Sequence, residues 1–297
     1  MKIAVAGAAG ALGSAVVGDL RTAGHDVSRL VRGQADAADE MGWDPSYGRI
    51  APGTLDGFDA VVNLYSTGLA GKRWNAARKR KIHDSRVVAA RTLASAVAES
   101  GVPVFLSGSE TAYYGDTGTV DVDESAGSGT GFHAELCRDW EAAAREAEGS
   151  GTRVVLLRLG TVLAADSGII KVMTPAFRAF LGFRFGRGDH CLPWVAEDDA
   201  VAAVRFVLEN ESVAGPVNVT APGAAVQREF AAALGRALRR PVPWSLPRPV
   251  LRAALGEYAD GFFTGRRAVP SVLTAAGFGF RHPDLDGAIA ALFRAGT

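Results

Sequence analysis

The segment Lys2-Ile3-Ala4-Val5-Ala6 runs directly into Gly7-Ala8-Ala9-Gly10-Ala11-Leu12-Gly13 and then into an amphipathic stretch. Few folds accept a short apolar strand pattern followed by glycines at three-residue spacing. Glycine lets the backbone turn tightly and approach a pyrophosphate closely. The helix that follows offers unpaired N–H groups and a partial positive charge to phosphates. The pattern therefore predicts a dinucleotide cradle at Gly7, Gly10, Ala11, Leu12 and Gly13. The alternative is a glycine-rich turn that serves only helix–sheet packing.

The rest of the first half supports the cradle. Residues 27–31, 59–64, 102–107 and 153–157 read as buried strands rich in Val and Leu. Helical patterns at 11–24, about 76–100 and 134–149 lie between them. Strict alternation implies βαβ units, a parallel sheet and helices on both faces. The expected fold is an α/β, Rossmann-type, doubly wound parallel sheet with a smaller, mostly helical C-terminal lobe. Residues 1–165 and 198–225 are assigned to the nucleotide-binding domain. Residues 166–197 and 226–297 are assigned to a substrate-binding lobe. Two glycine-containing segments, 69–74 and 182–188, are candidate lids.

The tip of the second strand discriminates between cofactors. An NAD site places a carboxylate there for the ribose hydroxyls, and an NADP site a cation for the 2′-phosphate. Here the strand ends Leu30-Val31-Arg32-Gly33, so Arg32 points to NADP(H). Trp43, ending a third strand, either flanks the adenine or belongs to the core.

Composition excludes other classes. Of 297 residues, 48% are hydrophobic and 22% charged, which suits a globular core. The 32 Lys and Arg balance 32 Asp and Glu, arguing against nucleic acid or an anionic membrane as partner. No apolar run is long enough to span a bilayer. The N-terminus has some signal-peptide character, but its regularly spaced glycines suit the nucleotide turn better. Cys137 and Cys191 form no C-x-x-C pair or disulfide framework, consistent with a cytoplasmic home. No metal site is expected. The partner is a small molecule, and the oligomeric state stays open.

Several stretches in one order, GAAGALG, GHDVSRLVR, SETAYYGDTG, LCRDWEAAA, RVVLLRLGTVL, GPVNVTAP and AAGFGFRHPDL, carry a family resemblance. The chain resembles the extended and atypical branch of the short-chain dehydrogenase/reductases, in an epimerase-like subgroup with a C-terminal domain of unknown function. The resemblance implies that Leu64, Tyr65 and Ser66 pass along the adenosine and ribose. It implies that Ser107 to Ser109 face the nicotinamide ribose, and that Leu159, Gly160 and Val162 touch the nicotinamide end. Two departures, Tyr65-Ser66-Thr67 and Val195-Ala196, suggest a rebuilt substrate pocket.

Extended members of this superfamily often read Tyr-x-x-x-Lys-x-x-x-Glu on one helix, the tyrosine donating a proton as hydride arrives. Anchored on Glu141, this chain has His133 and Cys137 instead. Hydride transfer still requires a positioned carbonyl and some stabilisation of its oxygen. Ser109 is one candidate donor, with ribose binding or loop capping as alternatives. Tyr113 is a second, and Tyr114 a weaker one. His133, with an ordinary pKa near about 6.5, is a third, or else a capping residue. Cys137 reads as helix packing. The substrate is a further source, since a ketone beside a phenol carries its own acid, as in aromatic polyketides such as angucyclinones. The expected activity is an NADPH-dependent ketoreductase of secondary metabolism. The alternatives are a non-catalytic NADP-binding regulator and a nucleotide-sugar epimerase.

Overall fold

The structure is a computed structural model and describes residues 1–68 and 73–294. Its centre is an eight-stranded sheet. The strands are β1 (Lys2–Ala6), β2 (Asp26–Arg32), β3 (Glu40–Asp44), β4 (Arg49–Ile50), β5 (Ala60–Asn63), β6 (Val104–Glu110), β7 (Arg153–Leu159) and β8 (Gly215–Val219). They lie in the order β8-β7-β6-β5-β1-β2-β3-β4, and only the β3–β4 pair is antiparallel. The chain therefore leaves β1 first to one side and later to the other. The resulting switch point, between β1 and β5, is where open α/β sheets bind ligands.

The period-two pattern of the strands builds two cores. Ala4, Ala6, Val61 and Phe105 face α2 (Ala76–Glu99) and α3 (Phe132–Arg145). Ile3, Val5, Val62 and Leu106 face α1 (Ala11–Thr22) and α5 (Glu197–Glu209). Adjacent residues of one strand thus serve opposite layers. Between them in the chain lies α4 (Gly168–Arg178). It joins α6 (Gln227–Leu238) and α7 (Arg248–Leu255) in a third core around Met173, Phe177, Phe185, Trp194 and Phe230. Most of the aromatic residues of 173–194 are therefore lobe interior, while Phe180 is exposed.

Two boundaries and one lid reading differ from the sequence expectation. The tail was assigned whole to the lobe, yet Val272, Leu273, Phe278 and Phe280 pack on the α1/α5 face of the sheet. Asp199 of α5 fixes that return by accepting the Arg281 and His282 amides at 2.8 and 2.9 Å. Helix α3 begins two residues early because Gly131, at φ 93°, breaks the incoming chain. Segment 182–188 is no open lid: Phe183–Phe185 pairs with Trp244–Leu246 as a short parallel ladder. Most of the other candidate lid, 69–74, lies outside the described residues. Among the described residues, no helix is long and apolar enough to cross a membrane, and no group of three or more His, Cys, Asp or Glu could hold a metal.

Candidate functional site

A groove of about 590 Å³ opens at the carboxyl ends of β1 and β5. Gly7, Gly10, Ala11, Leu12 and Gly13 form one wall, and Leu64, Tyr65 and Ser66 another. The glycines are there for close approach. Gly7 has φ +85°, and a Cβ on it would sit 2.6 Å from the Leu64 carbonyl group. A Cβ on Gly13 would sit 2.1 Å from the Gly7 oxygen. Helix α1 starts at this point without a side-chain cap and with no acid in its first turn. Its first N–H groups are thereby left for an anion.

Arg32 also lines the groove, is exposed and makes no ion pair among the described residues. Its neighbours behave differently. Arg29 binds Asp39 at 2.8 Å and Glu40 at 3.0 Å, and Arg21 also holds Asp39. The hydrogen bonds from Arg29 and Arg21 keep Asp39 well below the usual carboxylate range. Asp39 and Glu40 are thus engaged beside Arg29, and Asp44, next to the tip of β2, accepts the Ser46 and Tyr47 amides at 3.0 and 3.3 Å. This donor set fits a 2′-phosphorylated dinucleotide.

Five expected cofactor contacts fare less uniformly. Leu159 lines the groove. Ser107 is fully buried and its hydroxyl lies 3.5 Å from the Asn63 amide, so Gly108 takes its place in the wall. Gly160 is pressed against Pro193, whose carbonyl oxygen would be 2.9 Å from an added Cβ. Val162 pairs with Val195 and packs against the sheet core. Trp43 is buried, edge-on behind Tyr65 at 5.3 Å, and belongs to the core instead of the groove wall. The departure at Val195-Ala196 is likewise interior, since both residues are buried.

Of the residues expected as proton donors, Ser109 lines the groove and Tyr114 a separate cavity. Ser109 is fully buried and donates to Glu141 at 2.6 Å. Glu141 also receives Nε and Nη2 of Arg158 at 2.8 and 2.9 Å. Arg158 donates from Nη1 to the Tyr114 hydroxyl at 2.9 Å, and that hydroxyl donates to Asn218 at 2.8 Å. Burial pushes Tyr114 up to about 12, so it stays protonated at neutral pH. Burial opposes the charge of Arg158, but its bonds to Glu141 raise its pKa overall. Tyr113 is covered by the same guanidinium, 3.6 Å from its ring centre. The hydroxyl of Ser109 is thus structural in this arrangement, and Tyr113 packs beneath a cation. Cys137 is buried, and burial pushes its thiol well up.

His133 stands apart. It lines a separate cavity, with its ring 5.0 Å from Trp74 in an edge-to-face contact. Burial lowers its pKa, so the neutral form is favoured. Its Nε2 is sealed and has no hydrogen-bond partner among the described residues.

Sequence reasoning overlooked Arg158, Asn218 and Arg86. Arg158 carried a readable signal, because an arginine inside an apolar strand run must find a carboxylate. Arg86 is buried on α2 and donates to the Thr67 carbonyl and to Glu110, each at 3.2 Å. Both acceptor residues line the groove.

We expect Ser109→Ala to lower stability by about 1.5–3 kcal/mol, the worth of a hydrogen bond to a charged group. Urea unfolding measures it. Turnover should stay within about threefold, whereas losing a proton-donating serine would cost about 10²-fold or more.

Comparison with known proteins agrees with this geometry. Residues 3–220 match the NAD dependent epimerase/dehydratase family, and residues 246–292 match a domain of unknown function, DUF1731. Epimerase family protein Mb2239 of Mycobacterium bovis is 43% identical over 94% of this chain and 93% of its own length. The human structure of epimerase family protein SDR39U1, solved with NADPH, superposes with TM-score 0.91 at 29% identity, covering 99% of each chain. A nucleoside-diphosphate sugar epimerase from Corynebacterium glutamicum has TM-score 0.80 at 30% identity, covering 99% of this chain and 58% of that one. The glycine cradle, the switch-point groove and the two-part family match have one reading: this chain belongs to the NAD dependent epimerase/dehydratase family, in its SDR39U1-like, atypical short-chain dehydrogenase/reductase branch with a DUF1731 C-terminal segment.

Proposed function

We propose that this chain is an NADP(H)-dependent oxidoreductase that reduces a ketone. The observation that carries this reading is Arg32, a cation without an ion pair among the described residues, on the wall of a groove that begins at the uncapped start of α1. The NADPH of the human SDR39U1 structure supports it. Bound in the groove, the reduced cofactor supplies a hydride. The chain's own residues bind and orient: the α1 amides and Arg32 hold phosphates, and Leu64 to Ser66 flank the ribose. Glu110 and Leu159 border the inner end. The Ser109 hydroxyl there is engaged with Glu141, Tyr114 is buried against Arg158, and Tyr113 lies half-buried under the same guanidinium.

A substrate that protonates its own oxygen suits such a site. We infer a ketone beside an internally hydrogen-bonded phenol, as in an aromatic polyketide of the angucyclinone type. The test is incubation with such a ketone and 4-deuterated NADPH, prepared as both stereoisomers. Deuterium on the carbinol carbon from one isomer is expected. No transfer from either isomer, with the cofactor intact and bound, would overturn the reading. Tight NADPH binding without consumption across many carbonyl compounds would instead favour a binding protein without turnover. That second reading draws support from the same commitment of Ser109 to Glu141. A sugar epimerase, the activity printed for the Corynebacterium protein, would require a retained oxidised cofactor and an acid/base pair.

The Arg32 assignment has its own check. Arg32→Ala should weaken NADPH binding about 10- to 100-fold and leave NADH nearly unchanged, since a charged hydrogen bond is worth about 1.5–3 kcal/mol. Paired titrations measure it.

A further inference from the structure

A second cavity, of about 520 Å³, lies at the start of α3 and shares no wall with the groove. Gly129 to Ala134 form one side, and the segment from Glu257 to Arg266 contributes the other. The amides of Phe132, His133 and Ala134 open α3 without an acceptor among the described residues, and Gly131 supplies no side-chain cap. Such a helix start attracts negative charge.

An independent group points into the same space. Arg266 lines the cavity, and its Nε donates to the Gly115 carbonyl at 3.1 Å. Its guanidinium makes no ion pair among the described residues. Glu135 stands in the first turn of α3, and the acids nearer Arg266 are engaged, Glu110 with Arg86 at 3.2 Å. Asp116 accepts the Gly118 and Gly265 amides, each at 3.2 Å. Glu257 pairs with Lys79. Asp260 pairs with Arg248 at 2.8 Å and lies 3.7 Å from Arg252. Trp74 and Phe132, edge-to-face at 5.5 Å, add an apolar wall.

We propose that this cavity recognises an anionic group, a carboxylate or a phosphate, on the substrate, gripped by the Arg266 fork and the first amides of α3. Arginine and helix amides together are a fitting donor set for such an oxyanion. The placement relative to the reacting carbon rests on the groove reading above. Trp140 lines the groove and lies seven residues along α3 from His133, about 10 Å at the helical rise. The substrate is then a ketone that also carries an anionic group.

The test uses full-length protein saturated with NADPH and three probes: benzoate, phenyl phosphate and neutral benzamide. Amide signals of Phe132, His133 and Ala134 are followed by NMR. Saturable shifts with benzoate or phenyl phosphate, but not benzamide, are expected, and the tighter anion identifies the chemistry. Arg266→Gln should weaken that binding about tenfold or more. Equal binding of benzamide, or no saturation by either anion, overturns the proposal. The wild-type amide shifts decide even where the variant does not fold. NADPH affinity, read on the same samples, reports separately on the groove.

Discussion

Gly13→Ala is expected to weaken NADPH binding at least about 100-fold, equivalent to about 2.8 kcal/mol at 1.4 kcal/mol per decade. A Cβ there would lie 2.1 Å from the Gly7 oxygen and 2.8 Å from the Gly7 carbonyl carbon. Both contacts are to backbone, so no side chain can swing away. Either the glycine turn or the first turn of α1 must move, and the amides that cradle the pyrophosphate move with it. Gly18→Ala is the matched control on the same helix. Nothing lies within 4 Å of its added Cβ, and alanine should stabilise the helix interior by about 0.5–1 kcal/mol. Fluorescence titration with NADPH measures both, and circular dichroism reports folding. Retained affinity in folded Gly13→Ala would remove the cradle from the account.

Glu141→Gln should lower stability by about 3–5 kcal/mol, because it leaves Arg158 buried without its counter-ion. The two side chains are 5% and 3% exposed, so water cannot take over. The same carboxylate orients Ser109, and the same guanidinium holds Tyr114 and covers Tyr113. One change therefore loosens β6, β7 and α3 together. Arg158→Met should cost a similar amount, and the double variant less than the sum of the singles, since each partner's loss makes the other harmful. Urea denaturation with unchanged m-values measures the cycle. A single-variant cost below about 1 kcal/mol would mean that the pair does not organise the inner end of the groove.

The legible and illegible parts of the site separate on physical grounds. The cradle depends on local chemistry, with a strand, three spaced glycines and the start of a helix within the first thirteen residues, and it lies where the spacing puts it. The position of Arg32 on the groove wall was legible for the same reason, as the last residue of a clear strand. The role of Ser109 was not. Its partner Glu141 is 32 residues away, and the arginine that completes the cluster is on another strand. Local pattern cannot distinguish a hydroxyl facing a ligand from one facing a buried carboxylate. Ser107 and Trp43 failed as groove contacts by the same logic, since their orientation depends on Asn63 and Tyr65. The tail was misassigned because Leu273 and Phe280 return to a core built largely from the first two hundred residues. The cavity beside His133 was not legible either, since Trp74 closes it from one side of the chain and Glu257 to Arg266 from more than a hundred positions later.

The central claim is that a 2′-phosphorylated dinucleotide occupies the groove between Gly7, Gly13 and Arg32. Side-by-side calorimetric titration of the folded protein with NADPH and NADH tests it most directly. The account predicts one saturable site that prefers NADPH by about tenfold or more. Equal affinity for the two, or no uptake of either, would contradict it.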